Sequence, residues 1–218
     1  MTGGIPPSLA MEAGRPVRRV RRVRAYIGLG ANVGHAAGTL AAAVHALAAL
    51  PGVRLQGVSR LYATEPVGVV DQPEFRNAVV ALDVLAGPDP ATGALALLIA
   101  LKGIERAFGR QARERWGPRE VDLDIEIFGR HQLHTERPAA GRSDDPTKAA
   151  LPLEVPHREA RNRLFVLAPL ADLAPGLVPP GWGETVASAA ERCRRAEGED
   201  AARPIARWDG SGWAGLDA

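Results

Sequence analysis

Apolar and polar positions along the chain change period several times, and the changes mark out its elements. Arg24-Ala25-Tyr26-Ile27-Gly28-Leu29 is a short β-rich run ending in glycines, which predicts a strand. Residues 36 to 50 are dense in Ala and Leu and stop at Pro51-Gly52, the pattern of a helix and its terminator. From Val53 to Leu61 apolar and polar positions alternate, and Asn77 to Leu85 is a second β-rich run, so the two predict an antiparallel pair across a long connection. Pro90 to Phe108 reads as a helix, opened by Asp89-Pro90 and closed by Gly109. A last strand runs from Val121 to Phe128. The resulting order, β-α-β-β-α-β, predicts an α+β fold, a ferredoxin-like α/β sandwich with a mainly antiparallel sheet under helices.

The connections carry most of the chemistry. Residues 62 to 76 and 109 to 120 are expected to be long loops rich in Gly and Pro, which in a compact domain are commonly active-site segments, here read as lids. In the last strand the side-chain period of two puts Asp122 and Asp124 on one face and Val121, Leu123 and Ile125 on the other. Two carboxylates held side by side repel, and either a shared proton or a divalent cation relieves them. Just upstream lie Arg110, Arg113, Arg115 and Arg119. Carboxylates suited to Mg²⁺ beside several guanidiniums are the equipment for handling a polyphosphate, whose charge must be offset before an oxygen can approach phosphorus. An acid pair alone often marks only a solvated strand face. The longer string Trp116-Gly117-Pro118-Arg119 with Asp122 and Asp124 specifies six types, a coincidence on the order of one in 10⁷ to 10⁸ at ordinary usage.

With 218 residues and 46% hydrophobic content, the chain is expected to build one domain with a real core. The expected division is a basic extension over 1–23, a domain over 24–183 with an insertion at 138–152, and a C-terminal extension over 184–218. The net charge of +2 is uneven, because Arg15 to Arg24 concentrates positive charge. Such a stretch can touch nucleic acid or acidic membrane, or simply be a solvated tail. The single cysteine, Cys193, excludes an internal disulfide and fits a reducing compartment. No run approaches the roughly 18 to 20 apolar residues of a membrane span, and the start lacks the apolar core of a signal peptide, so a cytoplasmic location is expected. Residues 138–152 have the composition of an exposed, mobile insertion, Glu184 to Arg195 can form an amphipathic helix, and beyond Glu197 little structure is compelled.

The run Arg115-Trp116-Gly117-Pro118-Arg119-Glu120-Val121-Asp122-Leu123-Asp124-Ile125 resembles the motif of the 6-hydroxymethyl-7,8-dihydropterin pyrophosphokinase family of the folate pathway. Other blocks agree in order: Ala25 to Asn32, Thr64-Glu65-Pro66-Val67-Gly68, Asp71 to Asn77, Ile104-Glu105, Gly109-Arg110, Val155-Pro156-His157 and Asn162 to Phe165. The resemblance covers about residues 24 to 180 and implies the ferredoxin-like core. It further implies transfer of the terminal diphosphate of ATP to a pterin alcohol, with two Mg²⁺ ions on Asp122 and Asp124. Arg110 and Arg119 match the family's mobile arginines and are the implied catalytic groups. The implied ATP-side positions are Arg115, Ile125, His157, Arg163 and Glu105, the last either at the nucleotide or on the helix surface. For the pterin, the resemblance implies a sandwich between Phe75 and Phe165, with Asn77, Thr64 and Val67 at its polar edge and Trp116 closing over it. The implied partners are these small molecules, not nucleic acid or membrane, and a monomer or a dimer is left open.

Three departures from the family pattern stand out. Ala31 replaces the usual Ser after Gly28-Leu29-Gly30, so the glycines are expected to serve a backbone turn. Gln111-Ala112 displaces the next arginine to Arg113, onto which no role is carried. Glu126 stands where an apolar residue is expected, and by period two it is either a third acid beside Asp122 and Asp124 or a solvated strand end. Rival classes are an RNA-binding sheet, which needs aromatics on its central strands, and a two-metal phosphohydrolase, which needs further His or Asp ligands.

Overall fold

The computed structural model describes residues 21–66, 72–109, 120–143 and 150–216. Strand β1 (Arg22–Ala31) is followed by α1 (Ala36–Ala48), β2 (Arg54–Val58), β3 (Leu61–Thr64) and β4 (Phe75–Leu85). Next come α2 (Pro90–Ala107), β5 (Asp122–Phe128), the short β6 (Leu133–Thr135) and β7 (Leu153–Val155), and then α3 (Leu164–Leu173) and α4 (Val186–Glu197). The strands β8 (Arg203–Trp208) and β9 (Trp213–Gly215) complete the described chain. The anticipated β-α-β-β-α-β order is present, with the second of its strands broken in two.

That break has a local cause. β2 and β3 both pair antiparallel with β4, β2 near its end at Val80 to Asp83 and β3 near its start at Phe75 to Asn77. Between them Ser59 donates its backbone N–H to the carbonyl of Val79 and accepts the Val79 N–H on its hydroxyl at 2.9 Å, so the backbone pairs of the ladder stay satisfied across the kink. Residues 62–64 and 75–76, expected in a loop, are therefore strand. Helix α2 begins as its sequence requires: the Asp89 carboxylate accepts from Thr92 N–H at 2.9 Å and Pro90 fills the first turn.

The main sheet runs β5-β1-β4-β3-β8-β9, with β2 beside β4. Its two faces are packed differently. Ala25, Ile27 and Leu29 of β1, Ala78, Val80 and Leu82 of β4, and Leu123 and Ile125 of β5 join one core with residues of α1 and α2. Tyr26, Val79, Ala81 and Ile127 point the other way and pack with residues of α3 and α4. Because both faces of β4 are covered along much of its length, it reads as a nearly continuous apolar run. The second helical layer covers only part of its face, and the functional site opens beside it.

The C-terminal segment is a correction to expectation. β8 pairs antiparallel with β3 and carries β9 as a hairpin, so residues past Glu197 extend the sheet. Trp208 and Trp213 stack edge to face at 4.8 Å, Trp208 lies against His45 of α1, and Trp213 Nε1 donates to the Ser59 carbonyl at 3.1 Å. Glu184 to Arg195 was read as helical, and α4 lies there, with Thr185 capping its start. The 138–152 segment is also not wholly exposed: 139–141 form a 3₁₀ turn, and Gly141 and Ser143 are buried.

Candidate active site

Among the described residues strand β5 is an edge strand, paired only with β1, and Asp122 and Asp124 project from the face opposite the α1/α2 core. Their cross-strand partners on β1 are Gly30 and Gly28, in that order. Directly opposed side chains share a face, so the absence of a Cβ at both glycines leaves a floor low enough for the Glu126 carboxylate to pack over Gly28 and the Asn77 amide to approach Gly30. Gly28 and Gly30 thus lie inside β1 rather than in the expected turn. A Cβ on Gly30 would sit 3.1 Å from Asn77 Oδ1, and one on Gly28 would sit 2.5 Å from Glu126 Oε1. Asn77 pairs with Gly30 from the other side, and Phe75 precedes it by two on the same face.

Over this floor lies a cavity of about 410 Å³. It is lined by Thr64, Phe75, Asn77 and Phe165, by His157 and Arg163, and by Asp122, Asp124 and Glu126. The Asn77 amide donates to Thr64 Oγ1 at 2.8 Å, which fixes a buried amide edge at the end of the pocket that carries Phe75. Arg163 ends the loop before α3, with its guanidinium 5.6 Å from the ring centre of Phe165. A cation poised on an aromatic face at one side of the cavity, and carboxylates at its floor, suit a ligand with a flat ring and an anionic tail. Two hard oxygen donors one strand period apart on an open face fit a Mg²⁺ ion that fills its remaining positions from ligand phosphates and water.

The outward edge of β5 is held by α2. Leu123, between the two aspartates, donates its N–H to Glu105 Oε1 at 2.7 Å, and its carbonyl accepts from Lys102 Nζ at 3.1 Å. Lys102 and Glu105 pair with each other at 2.7 Å, and Lys102 Nζ lies 3.9 Å from Asp124 Oδ1. Both side chains are almost fully buried. Glu105, expected at the nucleotide or on the helix surface, is at neither place; its carboxylate faces inward to the strand edge. Lys102 was not singled out from the sequence, where a lysine in the fourth turn of an amphipathic helix reads as a solvated position. Ile125 likewise buries its side chain in the α1/α2 core, so only its backbone is available to a ligand.

Glu126 is the third acid on this face and is not solvated, being 3% exposed. The β1/β5 register shifts between Tyr26, opposite Ile127, and Ile27, opposite Ile125. This bulge at Glu126 swaps faces, so that Ile125 joins one core and Ile127 the other. Burial first, then the neighbouring Asp124 and Asp122, push the Glu126 carboxyl well above the usual carboxylate range, while Arg163 pulls it down. The backbone N–H of His157 donates to the Glu126 carbonyl at 2.9 Å, which brings the His157 segment to the edge of β5. Ser143, Leu151 and Pro152 of the 138–152 segment line the same cavity, a contribution that its polar, Pro-rich composition gives no sign of. Val67, Arg110, Arg113, Arg115, Trp116 and Arg119 lie outside the described residues. No helix among the described residues is long and apolar enough to cross a membrane.

A mainly antiparallel sheet that offers paired carboxylates, aromatic rings and cationic groups to one cavity is a fold and site of the small-molecule phosphotransferase class. Residues 26–175 match the model of the 7,8-dihydro-6-hydroxymethylpterin-pyrophosphokinase family, and the chain belongs to that family, whose members serve folate biosynthesis. It is 43% identical over 166 residues to the 2-amino-4-hydroxy-6-hydroxymethyldihydropteridine pyrophosphokinase of Methylorubrum extorquens, covering 76% of this chain and 90% of the relative. Identity to the enzyme of the same name from Pseudomonas aeruginosa is 43% over 157 residues, 72% of this chain and 84% of that one. Among solved structures, wild-type HPPK-DHPS of Plasmodium falciparum superposes with a TM-score of 0.67 at 15% identity, over 90% of this chain. The chain spans about half the length of that protein, 50%, and the likeness supports the ferredoxin-like fold.

Proposed function

We propose that this chain transfers the terminal diphosphate of ATP to the hydroxymethyl oxygen of 6-hydroxymethyl-7,8-dihydropterin, releasing AMP and the pterin diphosphate, with Asp122 and Asp124 holding two Mg²⁺ ions. The observation that carries this reading is the placement of both aspartates across from Gly28 and Gly30, in one cavity that Phe75, Phe165, His157 and Arg163 also line. When bound, Mg²⁺ would neutralise phosphate charge and so ease approach of an anionic or lone-pair oxygen to phosphorus.

The chain's own groups supply the rest. Phe75 and Phe165 would hold the flat pterin, and the Asn77 amide with Thr64 would read its polar edge, since a site built to hydrogen-bond a ring rejects rings that lack the partners. His157 and Arg163 would grip the nucleotide phosphates. The hydroxymethyl oxygen then attacks the β-phosphorus, and its new P–O bond replaces the bond to the oxygen bridging the α- and β-phosphates. That oxygen departs on AMP, and the alcohol's proton leaves to solvent. Arg110 and Arg119 would follow the charge as it shifts, because a guanidinium offers two parallel N–H donors and stays charged.

A product assay with ATP, Mg²⁺ and 6-hydroxymethyl-7,8-dihydropterin, resolving AMP from ADP, tests the reading. Pterin-dependent AMP together with pterin diphosphate is the expected result; ADP would replace it with an ordinary kinase, and no turnover would remove it. For Arg119→Ala the expected outcome is a fall in turnover at saturating ATP of about 10²-fold, the usual loss when one donor to transition-state charge is removed. Binding of ATP should weaken far less, and an unchanged rate at saturation would take this role from Arg119.

A further inference from the structure

The turn that presents Arg163 and Phe165 to the cavity starts α3 with little support of its own. It follows the 3₁₀ turn Ala160–Asn162, and Arg163 N–H reaches the Ala160 carbonyl only at 3.5 Å. The first N–H groups of a helix need acceptors from outside it, and the N-cap residue here, Arg163, has a side chain that carries donors alone. Support comes instead from α4 and the residues leading into it, past residue 175, where the match to the family model ends. Arg192 Nη2 donates to the Arg161 carbonyl at 2.8 Å and to Glu184 Oε1 at 3.3 Å. Glu184 Oε1 also accepts from Arg161 Nε at 2.8 Å, which links three side chains around one backbone carbonyl. Three residues on, Leu164 N–H donates at 3.3 Å to Oε1 of Glu197, the last residue of α4.

We propose, resting on the reading of Arg163 and Phe165 as ligand-binding groups, that α4 braces the 161–164 turn and that Arg192 is its central positioning residue, holding both side chains where a ligand meets them. The helix itself is anchored by other means. Val186, Ala189, Ala190 and Cys193 are buried in one cluster with Leu164 and Leu167 of α3, so apolar contact seats α4. The Arg192 side chain, by contrast, is 44% exposed and that of Arg161 43%, and contacts between such exposed charges add little to stability. What they add is direction. A carbonyl that accepts from a fixed guanidinium pins the planar peptide between Arg161 and Asn162, and Leu164 N–H on Glu197 pins the one between Arg163 and Leu164. These two planes bracket Asn162 and Arg163, and Phe165 follows in the first turn of α3. Without Arg192 the turn samples other arrangements. A ligand then binds the competent fraction alone, which lowers its apparent affinity by that fraction and leaves the saturated complex as it was.

The test sets Arg192→Ala against Arg195→Ala, a control on the same helix whose guanidinium lies 3.9 Å from Glu191. Two quantities are read: amide hydrogen exchange of Leu164, Val166 and Leu167 in the ligand-free protein, and steady-state kinetics with ATP and 6-hydroxymethyl-7,8-dihydropterin. Val166 and Leu167 both donate to the Arg163 carbonyl, so their amides report on this turn. Arg192→Ala should speed exchange at all three. It should also raise both KM values about fivefold, the rise that follows when the competent turn is populated about one fifth of the time, with kcat within about twofold. Arg195→Ala should change neither quantity. Arg192→Lys, which can still donate to the Arg161 carbonyl, should recover part of the loss, and adding Arg192→Ala to Arg163→Ala should raise the KM for ATP no further. Thermal midpoints should stay within about 4 °C of the unaltered protein; should Arg192→Ala not fold, Glu184→Ala takes its place. Unchanged exchange or unchanged KM values in Arg192→Ala would overturn the proposal, as would an equal effect from Arg195→Ala or a loss confined to kcat. Exchange is read without catalysis, so a protein that makes no pterin diphosphate yet shows Arg192-dependent exchange would overturn the functional reading and leave the brace in place.

Discussion

Asp124→Ala is expected to lower diphosphoryl transfer on the order of 10³-fold while the protein remains folded. On the proposed metal role, removing this carboxylate forfeits several kcal/mol of transition-state stabilisation, and each 1.4 kcal/mol or so is a factor of ten. The fold should survive because Asp124 lies on the cavity face, 32% exposed, opposite a glycine, with no core contact to lose. Its removal also relieves repulsion among Asp122, Asp124 and Glu126, so thermal stability should hold or rise slightly. Lys102 loses a neighbour at 3.9 Å but keeps Glu105 at 2.7 Å. Asp122→Asn, which keeps the shape and drops the charge, should show a loss of similar kind. Turnover near normal from a well-folded Asp124→Ala protein would refute the metal assignment, and calorimetry of Mg²⁺ with a non-hydrolysable ATP analogue separates lost binding from lost chemistry.

Lys102→Met should instead act on stability. Breaking a buried ion pair from one side strands the other charge, which costs about 3–5 kcal/mol, a large share of the roughly 5–15 kcal/mol that holds a domain together. Here the stranded group would be Glu105, 1% exposed, under the strand that carries both aspartates. The thermal midpoint is expected to fall by about 10 °C for a chain of this size. Lys102→Met with Glu105→Leu should recover part of the loss, since two apolar groups restore neutrality, although Leu123 N–H then lacks its acceptor. A double-mutant cycle by urea denaturation gives the coupling; additive effects would show that the pair does not act as a unit. Any weakening of ATP–Mg²⁺ binding in Lys102→Met that Asp124→Ala already abolishes would trace to β5 slipping from its place.

These two experiments touch residues that stood very differently in the sequence. Asp122 and Asp124 could be placed from the chain alone, because a strand's period of two is a local rule and the acids interrupt an aliphatic run. The helix start at Asp89-Pro90, the order of the elements and the pairing of the second and third β-rich runs were legible for the same reason: caps, periods and terminators act within a few residues. Lys102 and Glu105 form an i, i+3 pair that looks like solvated helix surface until α2 is laid against the free edge of β5, where Leu123 has an N–H and a carbonyl to satisfy. Gly28 and Gly30 could be taken for a turn until the β1/β5 register set them opposite the aspartates.

The sequence by itself determined the kinds of element, the faces their side chains share, and the chemical character of the acid pair, since these follow from backbone geometry over short spans. Only the tertiary structure decided that Glu126 is buried rather than solvated, that residues past Glu197 extend the sheet along β3, and that part of the 138–152 segment lines the cavity. The physical reason is that burial and edge satisfaction depend on which distant segment comes to cover a given face, and no local period encodes that choice.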